Sequence, residues 1–407
     1  MAGQGRGAVR RTAVCLLVTL LALAGCAGPG SDGPADPAVR EIQSLLDRRA
    51  RALLARDEAA FVAGLDPALA PSALQEFERL ADVPLGTWEY RVTEVDRTGG
   101  DRATAHAALG YRLDGYDSAP VTTERVLDLT ERDGRWYVTA DRPGEGAGPR
   151  LWQQGDVEVV RGERSLVLGV GQTQERLREV AAAADRAVPV VSAVWPDAWA
   201  DRVVVLVPAT LEAMGGLLGA PGTSYRGMAA VTTGEAGGGP DAPADRVIVN
   251  PEAYGVLGDF GRQVVLTHET THVATRAHTS ASTPVWLSEG FADWAAYRGT
   301  GRTAAQTAPE LRRSVQAGQA PQRLPDDGDF AFGGDPEALA RAYESGWLAC
   351  ELIAERWGEA ALVAFYRQVG AHPGRDGAVE KALRDVLDTS PGDFTAAWRA
   401  SLARRLA

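Results

Sequence analysis

Leu266-Thr267-His268-Glu269-Thr270-Thr271-His272 lies in an apolar run, with Val264 and Val265 before it and Val273 and Ala274 after it. That run predicts a helix. Residues four apart share one face of a helix, so His268 and His272 project their imidazoles side by side. Two nitrogen donors at this spacing suit a tetrahedral zinc ion. Glu269 points to the side of the pair, where its carboxylate reaches a water on the metal without ligating the metal. The bland alternative is an ordinary helix with two histidines. Two facts weigh against it. The 407-residue chain has five histidines (His106, His268, His272, His278 and His372), and two of them fall at this spacing. A second helical stretch follows at once, Trp286-Leu287-Ser288-Glu289-Gly290-Phe291-Ala292-Asp293-Trp294, and it presents two carboxylates, Glu289 and Asp293, again four apart.

A zinc site of this kind needs a third protein ligand, and two residues compete for the place. His278 follows His272 by six positions, as the third histidine of metzincin proteases does. That arrangement needs a glycine turn after the second histidine and a methionine turn downstream. Here Thr275 stands at the glycine position and no methionine follows, since the three are Met1, Met214 and Met228. If the helix continues through Ala274-Thr275-Arg276-Ala277, His278 is carried away from the face of His272. Glu289 is the other candidate.

His268-Glu269-x-x-His272 followed by Trp286-Leu287-x-Glu289-Gly290-x-Ala292 resembles the gluzincin metallopeptidases, the clan of thermolysin and the membrane-alanyl-type aminopeptidases. The resemblance covers residues 149–407, and the two motifs are its specific part. It implies one Zn2+ held by His268, His272 and Glu289, with Glu269 as general base. It implies that Asp293 accepts a hydrogen bond from a ligating imidazole. Tyr343, in Ala342-Tyr343-Glu344-Ser345-Gly346, resembles the helix tyrosine that such enzymes aim at the reacting carbonyl. The strand Arg246–Asn250 is expected to edge the cleft and pair with extended substrate. The aminopeptidases carry a Gly-x-Met-Glu-Asn segment that captures the substrate amino terminus. The nearest stretch here, Gly227-Met228-Ala229-Ala230, lacks the acidic residue, so an endopeptidase is expected. The rival reading is a catalytically inactive peptidase-fold lipoprotein that binds or scaffolds. A complete ligand set with its general base argues against that rival.

The N-terminus reads as a targeting segment. Arg6, Arg10 and Arg11 precede an apolar core from Val14 to Ala24, and Leu23-Ala24-Gly25-Cys26 resembles a bacterial lipobox. The expectation is a signal peptide over residues 1–26, lipid on Cys26, and a flexible tether over residues 27–38. The protein would then sit outside the cytoplasm, anchored to the membrane by lipid, or be secreted if the lipobox is not used. Beyond Cys15 and Cys26 the chain has Cys350 alone, in an apolar helical pattern, so no disulfide is expected within the body. Without residues 1–25, which carry three arginines and no acid, 39 basic face 54 acidic residues, a net of −15. That balance excludes nucleic acid as an expected partner and leaves a peptide or protein substrate.

The body divides by pattern into two parts, and the fold class expected is α+β. Residues 39–148 begin with helical spacing (Ile42, Leu45, Leu46, Ala50, Leu53) and continue as four strand-like runs, the last two joined at Asp133-Gly134. Helices followed by a curved antiparallel sheet resemble a nuclear-transport-factor-2-like (NTF2-like) cone, expected here as an accessory unit. Residues 149–407 form the expected metallopeptidase domain. It contains a long helix over Gln172–Val194, a buried strand over Arg202–Val207, a Gly- and Pro-rich stretch over residues 213–245, and a mainly helical end.

Overall fold

The computed structural model describes residues 36–146, 148–233, 243–331 and 335–407. The expected signal segment with Cys26, most of the tether and the Gly237-Gly238-Gly239-Pro240 run lie outside the described residues. Residues 38–407 form one compact unit of mixed α and β structure. Among the described residues no helix is long and apolar enough to cross a membrane.

Three helices come first: α1 (Pro37–Leu54), α2 (Glu58–Val62) and α3 (Ala70–Arg79). They are followed by an antiparallel meander of β1 (Leu85–Arg97), β2 (Arg102–Leu113), β3 (Val121–Arg132) and β4 (Arg135–Pro143). Asp133 and Gly134 both take positive φ, as a two-residue hairpin turn matched to the sheet twist requires. The apolar stripe of α1 is buried against this sheet. Gln43 covers the free edge of β1, donating to the Tyr90 carbonyl at 2.6 Å and accepting from the Val92 amide at 2.8 Å.

The second sheet is mixed. After α4 (Leu151–Gln154) come β5 (Val157–Arg161), β6 (Ser165–Val170), α5 (Gln174–Val194), β7 (Val203–Val207), α6 (Leu211–Leu218), β8 (Ala230–Thr232) and β9 (Arg246–Val249). The spatial order is β5-β6-β7-β9-β8, with β6, β7 and β9 parallel and the outer strands antiparallel. The unbroken valine and leucine runs of β6 and β7 suit strands covered on both faces. Leu177, Val180, Ala184 and Val188 of α5 cover one face. On the other, Leu166, Leu168 and Val204 join the apolar cluster of the first sheet. A buried bidentate pair reinforces that junction: Arg246 meets both oxygens of Asp117 at 2.8 Å, and Asp117 also accepts from the Leu113 amide.

The pairing corrects one expectation. β9 aligns Val247 with Val205 of β7 on one side and Ile248 with Val231 of β8 on the other. Both of its edges are used, so the strand before the zinc-motif helix cannot receive a peptide. Among the described residues the outer edge on this side belongs to β8, three residues within the Gly- and Pro-rich stretch.

The remainder is helical: α7 (Pro251–Gly255), α8 (Asp259–Thr275), α9 (Val285–Tyr297), α10 (Ala304–Thr307), α11 (Pro309–Gln316), α12 (Pro336–Trp357), α13 (Glu359–Gly370), α14 (Ala378–Leu387) and α15 (Pro391–Leu406). One large core joins α9, α12, α13, α14 and α15, and the free Cys350 is buried in it. Two glycines set how closely α9 and α12 cross. A Cβ on Gly290 would stand 2.4 Å from the Gly346 carbonyl oxygen, and a Cβ on Gly346 would stand 2.7 Å from that of Trp286. Neither backbone atom can swing aside. Alanine normally favours a helix interior by about 1 kcal/mol over glycine. Gly290→Ala is expected to do the reverse and lower the unfolding free energy by about 1–3 kcal/mol through overpacking. Urea denaturation of the variant measures the sign.

Candidate active site

Three helices and one edge strand build the site. α8 keeps its helical form through Thr275, so nothing turns the chain after His272. Its inward face is polar but satisfied along its own length. The hydroxyls of Thr267, Thr271 and Thr275 donate to the carbonyls of Gln263, Thr267 and Thr271 at 2.8, 2.8 and 3.0 Å. That ladder lets a threonine-rich helix be buried against its neighbours. His268 and His272 lie on a different stripe, facing α9.

On α9, Trp286, Leu287, Phe291, Trp294 and Ala295 are buried in the helical core, which fixes the rotation of the helix. Glu289 and Asp293 are thereby aimed at α8. His268 Nε2 lies 3.1 Å from His272 Nε2 and 3.2 Å from Glu289 Oε2, and His272 Nε2 lies 3.5 Å from Glu289 Oε1. Asp293 Oδ1 lies 2.8 Å from His268 Nδ1. A donor bond from Nδ1 to that carboxylate fixes the tautomer and leaves the Nε2 lone pair facing the cluster.

This set fits a zinc ion. A tetrahedral site with ligand distances of about 2.0–2.2 Å has edges of about 3.3–3.5 Å between donor atoms. The separations here, 3.1, 3.2 and 3.5 Å, come close to that length, the two to Glu289 running to different oxygens of its carboxylate. Electrostatics agrees. Burial by itself disfavours charge on His268, but Asp293 and Glu289 outweigh it and push its pKa well above the usual imidazole range. Burial would likewise raise Glu289, yet His272 and His268 hold it well below the usual carboxylate range. The cluster therefore calls for positive charge, as a proton or as a metal cation in its place. Among the described residues, His268, His272 and Glu289 are the group of three such side chains close enough to share one metal ion.

The structure also brings Glu269 and Tyr343 to this spot. Glu269 is 7 % exposed. Tyr343 on α12 packs its ring edge-on against Phe330, with its hydroxyl at the Glu289 carboxylate. Burial, then the carboxylates of Glu289, Asp293 and Glu269, push its pKa far up, so the hydroxyl stays a donor. His278 goes elsewhere: its Nε2 lies 3.1 Å from Asp197 and its ring meets the edge of Trp195. One site residue had no sequence signal. Thr232, on β8, donates to Glu269 Oε2 at 2.7 Å.

No family model matches the chain, and no curated protein matches it. Among solved structures it is similar to an M1 zinc metallopeptidase from Deinococcus radiodurans, at 17% identity and a TM-score of 0.35, over 75% of this chain and 62% of that one. It is similar to native yeast LTA4 hydrolase at 10% identity and a TM-score of 0.35, over 76% of this chain and 58% of that one. A Mycobacterium tuberculosis protein of unknown function matches 28% of this chain and 77% of its own, at 19% identity and a TM-score of 0.23. The chain thus spans less than two thirds of the length of the first two. A chemical reading of this protein rests on the site itself.

The role of Asp293 is open to direct measurement. Asp293→Ala should leave the helix content unchanged and weaken zinc binding about 10- to 100-fold in chelator competition. Unchanged affinity would remove Asp293 from the metal site.

Proposed function

We propose that this chain is a zinc-dependent peptidase, and that it cleaves within chains. The observation that carries the reading is the position of Glu269, buried next to His268 but outside the group of three side chains close enough to share one ion. A structural zinc site needs no such neighbour, whereas hydrolysis does. His268, His272 and Glu289 would hold the ion. Zinc bound there would supply Lewis acidity and bring the pKa of a water toward neutrality.

The chain's own residues then have defined tasks. Glu269 accepts the proton of the attacking water and returns it to the departing amine. Tyr343 donates to the carbonyl oxygen as negative charge develops on it. Asp293 holds the imidazole of His268 in one tautomer. The open edge of β8 offers main-chain hydrogen bonds to an extended peptide. Ala230-Val231-Thr232 of that strand carries no acidic side chain to capture an amino terminus, which favours an internal bond as the target. Residues 39–148 would serve as the NTF2-like accessory unit. Lipid on Cys26 would tether the enzyme to the outer face of the membrane.

Glu269→Gln should bind zinc as the wild type does and lose at least about 100-fold in kcat on a peptide library. Full activity in that variant would refute the assignment, and a zinc-loaded wild type inert to every peptide would favour the scaffold reading. Cys26→Ala should move the protein from the membrane fraction to the soluble one. An unchanged membrane fraction would contradict lipid anchoring at that residue.

A further inference from the structure

We infer that Thr232 is a positioning residue for the base: its hydroxyl pins one oxygen of Glu269 and leaves the other to carry the proton. The inference rests on the peptidase reading above and deepens it. Thr232 Oγ1 lies 2.7 Å from Glu269 Oε2 and 3.1 Å from the Glu269 carbonyl oxygen. A threonine hydroxyl has one proton to give, and the carboxylate is the nearer and charged acceptor. Oε1 has no hydrogen-bond partner among the described residues. The two oxygens of the base are therefore not equivalent. Oε2 can accept from Thr232 whether or not Oε1 holds a proton, so the side chain keeps one orientation through the transfer. Thr232 neither gains nor loses a proton itself.

The strand that supplies this hydroxyl is held by the same helix that carries the base. Thr232 pairs with Val247 of β9. The next residue, Thr233, donates its amide to the Arg246 carbonyl at 2.8 Å. Its own carbonyl accepts from Arg276 Nη2 at 3.2 Å, and Arg276 Nε reaches Asp245 at 2.9 Å. Arg276 follows the last turn of α8, so the far end of the helix fixes the strand that orients Glu269 at its middle. The β-branched side chain of Thr232 has few rotamers to choose from. A glutamate without such a partner has three torsions to order before each transfer. Other side chains could fill the space. The donor is what the geometry uses.

The test compares Thr232→Val, which keeps the shape and removes the donor, with Thr232→Ser, which keeps the donor. Thr232→Val should lower kcat about 10- to 100-fold, the range for a hydrogen bond to a charged group. KM should stay within about 2-fold, and zinc content and affinity should match the wild type. Thr232→Ser should restore kcat to within a few-fold. Placed on Glu269→Gln, Thr232→Val should cost nothing further, because the two act as a unit. Wild-type kcat in Thr232→Val, a loss that follows zinc, or a serine variant as poor as valine would each overturn the inference alone. A wild type indifferent to Glu269→Gln would overturn the peptidase reading and this inference with it.

Discussion

Half-buried donors that need a shared positive charge organise the helical half of this molecule. Two imidazoles and a carboxylate meet within hydrogen-bond distances, each only partly exposed to water. Uncompensated, such a group would be costly to bury. Holding it together requires two helices fixed in rotation and spacing to within a fraction of an ångström. The apolar side chains of α9 fix the rotation. Gly290 and Gly346 fix the spacing to α12, which in turn presents Tyr343. The threonine ladder of α8 lets its polar inner face be buried without orphaned hydroxyls.

The sheet contributes at one point. Its parallel centre is covered on both faces and serves as a rigid support. Its edge strand, β8, runs beside α8 and touches the one acidic side chain of that helix next to the histidine pair. The same edge is the one proposed to receive an extended peptide. Substrate alignment and orientation of the base would then share one strand, which explains why a three-residue element is anchored so heavily through Thr233, Arg246 and Arg276.

Helical periodicity made much of this legible in advance. Two histidines and two carboxylates, each pair four apart, must share a helix face whatever the tertiary context. Apolar residues around Glu289 gave the buried side of α9, and Asp133-Gly134 gave the hairpin. The continuity of α8 past His272, and with it the separation of His278, followed from a threonine where a turn needs glycine. What could not be read was contact between distant segments. Gly290 looks like a plain helix glycine until Gly346 is seen opposite it. β8 has no alternation to announce a strand and forms because β9 offers it an edge. Missing β8 made β9 look like the rim of the cleft, and it hid Thr232.

The position of a bound metal ion decides between these roles. Crystals of the full chain loaded with one equivalent of zinc, measured at energies on either side of the zinc absorption edge, locate the ion without reference to activity. A single anomalous peak is expected between His268 Nε2, His272 Nε2 and the Glu289 carboxylate, with Glu269 outside bonding distance. A peak elsewhere, or Glu269 in place of Glu289 as a ligand, would contradict that assignment.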